Sequence, residues 1–368
     1  MTKEEQIPPF RKMRKTVAQR REAKQWRRRV VESKGASCLT SALRREIRRY
    51  ARSVFGSTIY TPWLEYYTEV RGEFVRGWVP KDYYQRHLLP VWNPRDRARL
   101  SQLKTLSQRL LPNAMFPALA LLIRGTWQDP ADGTTLTDRQ VLERIAPHAE
   151  LVLKRDGSSG GRAVEFIEQE SFIERFRAAS RDGFGSTSAV LQPVFHQHAE
   201  FSRLHPRSVN TLRILTYITD RGTPEAIYVC CRAGHGGARV DNASSGGFFV
   251  PLSMDGRPAK GSAFDKYGLP IERHPTEGYA FSDLCLPDSI VESAVALCVD
   301  SHVRVAWVRL VAWDVGIAPG GEPWLLEWNA IHPGWEKHEA VAGPLLGRYV
   351  LDGSLLVTGE RTSHRMQP

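Results

Sequence analysis

RLVAWDVGIAPGGEPWLLEWN, residues Arg309–Asn329, is the stretch whose reading decides the fold. Two apolar runs flank Gly320-Gly321, a pair that reaches positive φ without penalty and suits a two-residue hairpin turn. A turn there places Ile317 opposite Trp324, Val315 opposite Leu326 and Trp313 opposite Trp328, an entirely apolar face. On the other face Gly316 meets Leu325, Asp314 meets Glu327 and Ala312 meets Asn329. Carboxylates directly opposed across a ladder, with Cβ atoms about 4.5–5.5 Å apart, repel each other. A partly buried pair resolves this by taking up a proton or by admitting a cation. Asn329 adds a neutral oxygen, and three hard oxygen donors at one spot suit Mg²⁺. The competing reading is an exposed edge hairpin whose acids point at water; the apolar face argues for a central position.

Composition bounds the rest. A chain of 368 residues with 42% apolar content is long enough for one large core or two modest ones. The longest apolar run, Pro117–Ile123, is too short to span a bilayer, and no stretch resembles a secretory signal. The five cysteines (Cys38, Cys230, Cys231, Cys285, Cys298) form no CxxC pair, which suggests a reducing, cytoplasmic setting without structural zinc. The net charge of +11 is concentrated at one end: residues 1–53 hold 17 Lys/Arg against 5 acids, and the remainder is near neutral. Residues 1–34 therefore read as a basic arm, either helical or disordered by self-repulsion, able to touch nucleic acid or anionic lipid or to remain a solvated extension.

Periodicity gives a coarse map. Ser41–Phe55 is an amphipathic helix, and Ile59–Asn93 a run of short helices rich in aromatics and proline. Arg95–Leu111 reads as one helix, Phe116–Arg124 as a buried strand, and Asp138–Ala146 as a helix. In LVLKRDGSSGGRAVEF (Leu151–Phe166) a strand ends at Lys154, a Gly/Ser-rich turn follows, and a second strand opens at Ala163. Glycines let consecutive N–H groups converge on an anion, with the lysine supplying charge. The order is neither that of a P-loop nor that of a Rossmann turn. After the helix Glu170–Ser180 comes the strand Ser188–Val194, and then a hairpin of Asn210–Thr219 with Ala226–Ala233. Arg213 and Arg232 lie within its apolar runs, where an arginine must meet an anion or an internal acid. A helix, Pro287–Val303, precedes the opening hairpin.

Asp314, twelve residues, Glu327, one residue and Asn329 together resemble the metal-binding signature of the ATP-grasp superfamily. The Gln197-His198 pair, the run Ser208–Arg213 and the Asp241-Asn242…Gly246-Gly247 cluster resemble its sugar-transfer-associated branch, as does His274-Pro275. The resemblance extends from about Leu100 to Gly347. It implies an α+β ATP-grasp fold, two α+β lobes clamping ATP, preceded by a helical, aromatic-rich N-terminal lobe. The corresponding division is an arm at 1–34, an N-terminal lobe and pre-ATP-grasp segment at 35–125, the ATP-grasp domain at 126–350 and a tail at 351–368.

The same resemblance assigns roles. Lys154 and the lid Ser158, Ser159, Gly160 and Gly161 would hold ATP phosphates, Gln192 and Val194 the adenine, and His198 a further ligand contact. Arg213 and Arg232 would act with Lys154 in catalysis, and Asp314, Glu327 and Asn329 would bind two Mg²⁺ ions. Asn210, Asp241, Asn242, Gly246, Gly247 and His274 would face the substrate. Relatives carry an Asp-Lys pair where this chain has Leu103-Lys104; Lys104 read on its own is a solvated helix lysine. The implied function is an ATP- and Mg²⁺-dependent ligase. It would activate a carboxylate on a small molecule or saccharide as an acyl phosphate, for attack by an amine or thiol, in polysaccharide or sugar-conjugate modification. Two alternatives stand: a kinase for a sugar hydroxyl with Asp241 or His274 as base, and a nucleotide-binding module whose basic arm docks on nucleic acid or membrane.

Overall fold

A computed structural model describes residues 9–157, 164–178, 188–237, 239 and 246–347. Contacts divide the chain into two compact units. One comprises Met1–Trp92, Tyr267–Leu269 and Trp335–Pro368, the other Asn93–Lys266 and Pro270–Gly334. Among the described residues no helix is long and apolar enough to cross a membrane.

The first unit is helical, with α1 (Pro9–Lys34), α2 (Ser41–Phe55), α3 (Thr61–Arg71), α4 (Lys81–Tyr83) and α5 (Leu89–Trp92). A π-helical turn, Tyr84–Leu88, joins the last two. Thr40 caps α2 by accepting from the Leu43 N–H, and Ile47, Tyr50, Ala51 and Phe55 form its buried face. The picture of 1–34 as a solvated arm needs correction for the second half of α1. Ala23 and Val30 are fully buried there, and Trp26 meets Trp63 and Tyr66 edge-on at 5.6 and 5.5 Å. Positions 23, 26 and 30 share one helix face, so three apolar anchors dock a segment that is cationic elsewhere. Some of that charge is spent internally: Arg27 and Arg44 both reach Glu65 of α3, and Lys81 sits over the rings of Trp26 and Trp63 while bonding Glu22.

The second unit starts with α6 (Arg95–Ala98) and α7 (Lys104–Leu110) and builds two antiparallel sheets. The smaller contains β1 (Ala120–Ile123), β2 (Thr126–Gln128), β3 (Glu150–Arg155), β4 (Val164–Glu168) and β5 (Ala189–Pro193), in the order β2-β1-β5-β3-β4. Helices α8 (Asp138–Ile145) and α9 (Gln169–Ala178) supply Val141, Ile145 and Phe172 to its apolar core. After α10 (Ala199–Leu204) comes the larger sheet: β6 (Thr211–Ile218), β7 (Pro224–Ala233), β8 (Phe248–Pro251), β9 (Ala263–Phe264), β10 (Pro270–Ile271), β11 (Leu310–Ile317) and β12 (Pro323–Asn329). Its order is β10-β9-β8-β7-β6-β11-β12. Helix α11 (Asp288–Arg304) packs Ile290, Val291, Ala294 and Cys298 against the apolar face of β6, β7, β11 and β12. The last helix, α12 (Glu336–Ala342), belongs to the first unit.

The opening hairpin forms with one change of register. Ala312, Trp313 and Asp314 pair with Asn329, Trp328 and Glu327 as the sequence predicts, but Val315, Gly316 and Ile317 pair with Leu325, Trp324 and Pro323. A bulge at Asp314/Val315 absorbs Leu326. The connection is also longer than two residues: Ala318 exchanges bonds with Glu322 and Gly321, with Gly321 at φ +97°. Pro319 fits the first corner of such a turn, so only Gly321 needs the left-handed region. The hairpin is half central. β11 lies inside the sheet, and β12 is its edge, covered where Leu325 bonds the backbone of Ala114 and Phe116.

On the apolar face Trp313 and Trp328 stack at 6.0 Å. The Trp313 indole donates to the Thr216 hydroxyl at 2.7 Å, which donates in turn to His302 Nδ1, whose Nε2 donates to the Val308 carbonyl. Burial pushes the His302 imidazole down to about 4, only partly opposed by its bond to Val308. The unfolded chain binds this proton near 6.5 and the folded chain only near 4, so the stabilisation is complete above pH 6.5 and is lost as pH falls towards 4. The shift corresponds to about 3 kcal/mol. Denaturant unfolding at pH 6.5 and pH 4 is expected to show a larger loss in the native chain than in His302→Gln. Equal losses in the two would mean that His302 stays solvated.

Candidate active site

The polar face of the larger sheet carries the site. Asp314 of β11 lies opposite Arg213 of β6 on one side and Glu327 of β12 on the other. Arg232 of β7 lies on the same face, one pair diagonal to Arg213, because Thr211 pairs with Arg232 and Arg213 with Cys230. Strand alternation alone thus sets four charged side chains in a row across four adjacent strands. Arg213 grips Asp314 with a fork, Nε to Oδ1 at 2.6 Å and Nη2 to Oδ2 at 3.0 Å, and donates from Nη1 to the Pro333 carbonyl. Arg232 Nη1 adds a bond of 2.9 Å to Oδ1, and Asn329 Nδ2 approaches Oδ2 at 3.3 Å.

The smaller sheet contributes from across a cavity lined by Ser107, Gln108, Met115, Val190, Leu326 and Trp328 together with Lys104, Lys154, Gln192 and Glu327. The bulge puts Leu326 beside Glu327 on the cavity wall. Two struts hold the sheets in this relation. The segment Ala114–Phe116 bonds Leu325 of β12, while the Gln192 amide of β5 donates to the Phe116 carbonyl at 2.6 Å. Phe195, just after β5, lies against Gly316 so closely that a Cβ there would be 2.7 Å from its ring; this glycine is required by close approach.

Lys104 is the residue that reading by sequence placed wrongly. The run Arg95–Leu111 is not one helix: it breaks at Leu103, between a 3₁₀ turn and α7. Asp156, after β3, causes the break to hold, accepting from the Thr105 N–H at 3.0 Å and its hydroxyl at 2.6 Å, while the Gly157 N–H donates to Gln102. Lys104 is thereby turned inwards, 12% exposed, with its amine 3.7 Å from Glu327. The local signal was the resemblance of Leu103-Lys104 to an Asp-Lys pair; the pin on Asp156, remote in sequence, could not be read.

Electrostatics resolve the carboxylate pair in two different ways. Burial works to raise the Asp314 carboxyl, but Arg213 and Arg232 outweigh it and hold the group below its usual range. Burial raises the Glu327 carboxyl, Asp314 adds to the rise, and Lys104 and Lys154 oppose it only in part. Lys154 is pushed down to about 8, first by burial and then by Lys104, with Glu327 acting in the opposite sense. Four cationic side chains thus surround two carboxylates, an excess that calls for a polyanion.

Asp314, Glu327 and Asn329 lie together as the sequence predicts, with the Asp314 oxygens held by hydrogen bonds within the chain. Both Asp314 oxygens already accept two bonds each, and Asn329 presents its nitrogen, not its oxygen, to Asp314. Of these three residues, Glu327 has its lysine neighbour at 3.7 Å, beyond hydrogen-bond distance. Among the described residues no group of three or more His, Cys, Asp or Glu side chains could hold a metal ion.

Other expected site residues fall elsewhere. Asn210 is buried and fully used: its Nδ2 donates to Phe201 and His205 carbonyls, and its Oδ1 accepts from Ser208 and the Gly234 N–H. It frames a turn and has no group left for a substrate. His274 is buried with Nε2 donating to the Gly234 carbonyl and Nδ1 accepting N–H bonds from Thr276 and Glu277, so it has no free nitrogen to act as a base. His198 caps α10 by accepting from the Glu200 N–H. The close approach at Gly246 is to His235 of the chain itself, and its φ is +98°; Gly247 is buried beside it. Val194 is half-buried just past β5, and the Gln192 side chain is committed to the Phe116 carbonyl. Ser158, Ser159, Gly160, Gly161, Asp241 and Asn242 lie outside the described residues.

The profile of the family described as sugar-transfer associated ATP-grasp matches residues 86–346. Curated protein sequences give no significant match. Solved structures to which the chain is similar include a D-cycloserine synthetase, at 13% identity and a TM-score of 0.41, covering 69% of this chain and 71% of that one. The D-alanine-D-alanine ligase from Coxiella burnetii gives 12% and 0.39, covering 70% and 58%. A biotin carboxylase from Campylobacter jejuni gives 8% and 0.43, covering 70% and 47%. The chain spans about half the length of the last two.

The Lys154 environment gives a direct test. In nucleotide-free protein, acylation of Lys154 followed by peptide mass spectrometry is expected to show an inflection near pH 8. Glu327→Gln should move it lower and Lys104→Met higher, following the sign of each neighbour's field. An inflection at the ordinary lysine value, unmoved by either change, would show that the two lysines do not share the cavity.

Proposed function

Because the chain belongs to the sugar-transfer associated ATP-grasp family, we propose that it is an ATP-dependent ligase that activates a carboxylate as an acyl phosphate. The observation that carries this reading is the convergence of Lys104, Lys154, Arg213 and Arg232 on Asp314 and Glu327 beside a cavity between the two sheets. Cationic side chains from both sheets suit a polyphosphate, with lysines as point charges and arginine forks matched to phosphoryl oxygens. The acceptor carboxylate oxygen attacks the γ-phosphorus in line, a new O–P bond forms, and ADP leaves with the bridging oxygen. Arg213 and Arg232 then face an acyl phosphate that must be kept from water until an amine or thiol displaces phosphate. No side chain is needed as nucleophile. A divalent cation would supply charge neutralisation on the phosphates when bound.

The family's sugar-transfer association supports a carboxylate on a saccharide or sugar conjugate as the acceptor in this reading. The kinase alternative is weakened by His274, whose ring nitrogens are both engaged within the protein. The alternative in which a basic arm is the functional part loses ground because α1 contributes Ala23 and Val30 to the core of its unit.

Hydroxylamine separates ligase from kinase. With Mg²⁺-ATP and a uronic-acid saccharide, the native chain is expected to yield a hydroxamate, ADP and free phosphate. A phosphorylated acceptor that survives hydroxylamine, without free phosphate, would overturn the assignment. Lys154→Met should lower kcat/KM by roughly 10²–10³, the loss typical of removing one preorganised charge from a reacting centre, with the melting temperature preserved.

A further inference from the structure

We propose that Arg239 is a positioning residue that holds the two sheets of the second unit closed over their cavity before nucleotide arrives. This rests on the ligase reading and adds to it the pair that sets the gap a nucleotide must bridge. Alternation divides the smaller sheet into two faces. Leu151 and Leu153 of β3, Ile167 of β4 and Leu191 of β5 join the apolar core with α8 and α9. Lys154, Val190 and Gln192 line the cavity on the other face. Glu150 lies on that face because it is four residues from Lys154 on the same strand. Phe166 lies there too, since it pairs with Val152, which pairs in turn with Gln192. Arg239, in the connection from β7 to β8 of the larger sheet, reaches both. Its Nη1 and Nη2 fork onto the two Glu150 carboxylate oxygens at 2.7 and 2.6 Å, and its guanidinium lies 3.7 Å from the centre of the Phe166 ring.

The connection that carries Arg239 is itself fastened to the larger-sheet side. His205 Nε2 donates to the Gly236 carbonyl at 3.0 Å, His274 Nε2 to the Gly234 carbonyl at 2.8 Å, and the Val209 N–H to the Arg239 carbonyl at 3.4 Å. An exposed ion pair on its own contributes little, because two flexible side chains must be ordered to make it. Here the fork fixes the guanidinium edge and the ring fixes its plane. The Arg239 bond holds the Glu150 carboxyl below its usual range, so the pair stays ionised at neutral pH. The other ties reach the smaller sheet elsewhere, the Phe116 strap at β5 and Thr105 at Asp156, beyond the Lys154 end of β3. Arg239 adds a tie at the start of β3 and on the edge strand β4. Ties at both ends of β3 oppose tilting about either one. Arg239 thus acts through the position of β3, and so of Lys154 at the strand's other end. A ligand that touches both sheets binds only across the closed gap, so its apparent affinity scales with the closed fraction.

The test uses the full chain and a non-hydrolysable ATP analogue with an imido bridge. Arg239→Gln and Glu150→Gln are each expected to raise the Kd of the analogue and the KM for ATP about tenfold, with kcat within about threefold of native, because the closed complex is the same once formed. The double variant should be no weaker than either single one, and exchanging the charges, Glu150→Arg with Arg239→Glu, should recover most of the loss. Arg239→Lys keeps the charge without the fork and should fall between native and Arg239→Gln. Closure is read separately in nucleotide-free protein, as the distance distribution between spin labels on the exposed Cys285 and on Arg139→Cys of α8, in a Cys38→Ser background. That distribution should be narrow in the native and charge-exchanged chains and broad in either Gln variant. An unchanged distribution in both Gln variants would overturn the tie. So would losses that add in the double variant, or a fall in kcat with affinity preserved. An analogue that fails to bind the native chain would instead overturn the ligase reading, and the spin-label distances would still decide the tie.

Discussion

Asp314 is a buried carboxylate with a second carboxylate, Glu327, directly across the ladder, and this constraint governs the arrangement around it. Taken out of water, such a pair is untenable without counter-charge. The chain supplies that charge from the adjoining strand β6 and the next, β7, where Arg213 and Arg232 occupy the positions that alternation turns to the same face. The fork from Arg213 orients Asp314, so Asp314 keeps its charge while Glu327 is left with the raised carboxyl. A bulge next to the pair then turns Leu326 onto the cavity wall beside Glu327. One electrostatic conflict accounts for the placement of the arginines and for the opposite shifts of the two acids.

The second half of the site depends on contacts that hold two separate sheets in register. Asp156 pins the start of α7 and so aims Lys104, Gln192 ties β5 to the strap at Phe116, and the Trp328 indole donates to Ser107 of α7 at 2.9 Å. Each is a single hydrogen bond or a pair, worth on the order of 1 kcal/mol in net stability. Buried polar residues such as Asn210 and His274 act similarly in the turn after β7, where they fix backbone carbonyls and N–H groups and have no capacity left for ligand.

Family-level motif matching and physical satisfaction give different answers at those two residues. The run Ser208–Arg213 resembles the family's pattern as a unit, yet within it Asn210 serves the fold and Arg213 faces the site. Hydrogen bonds separate what the segment does residue by residue. The same kind of bonding gives each Asp314 oxygen two donors.

The sequence by itself determined what depends on short-range order. The two-residue period set Asp314 opposite Glu327 and Trp313 opposite Trp328, and the 3.6-residue period set the buried face of α2. Gly-Gly announced a turn, though not that Pro319 would take its first corner and leave only Gly321 in the left-handed region. What only the tertiary structure decided involves partners far apart in the chain. Lys104 left the solvent because Asp156 broke its helix, the second half of α1 became core because Trp63 and Tyr66 received Trp26, and Asp314 gained a second guanidinium because Arg232 reached it from β7. Side-chain periodicity is a property of the local backbone and is legible in order of sequence. Which buried charge meets which is settled by packing, where desolvation makes every unpaired group costly and the nearest available counter-charge, however distant in sequence, is the one that is used.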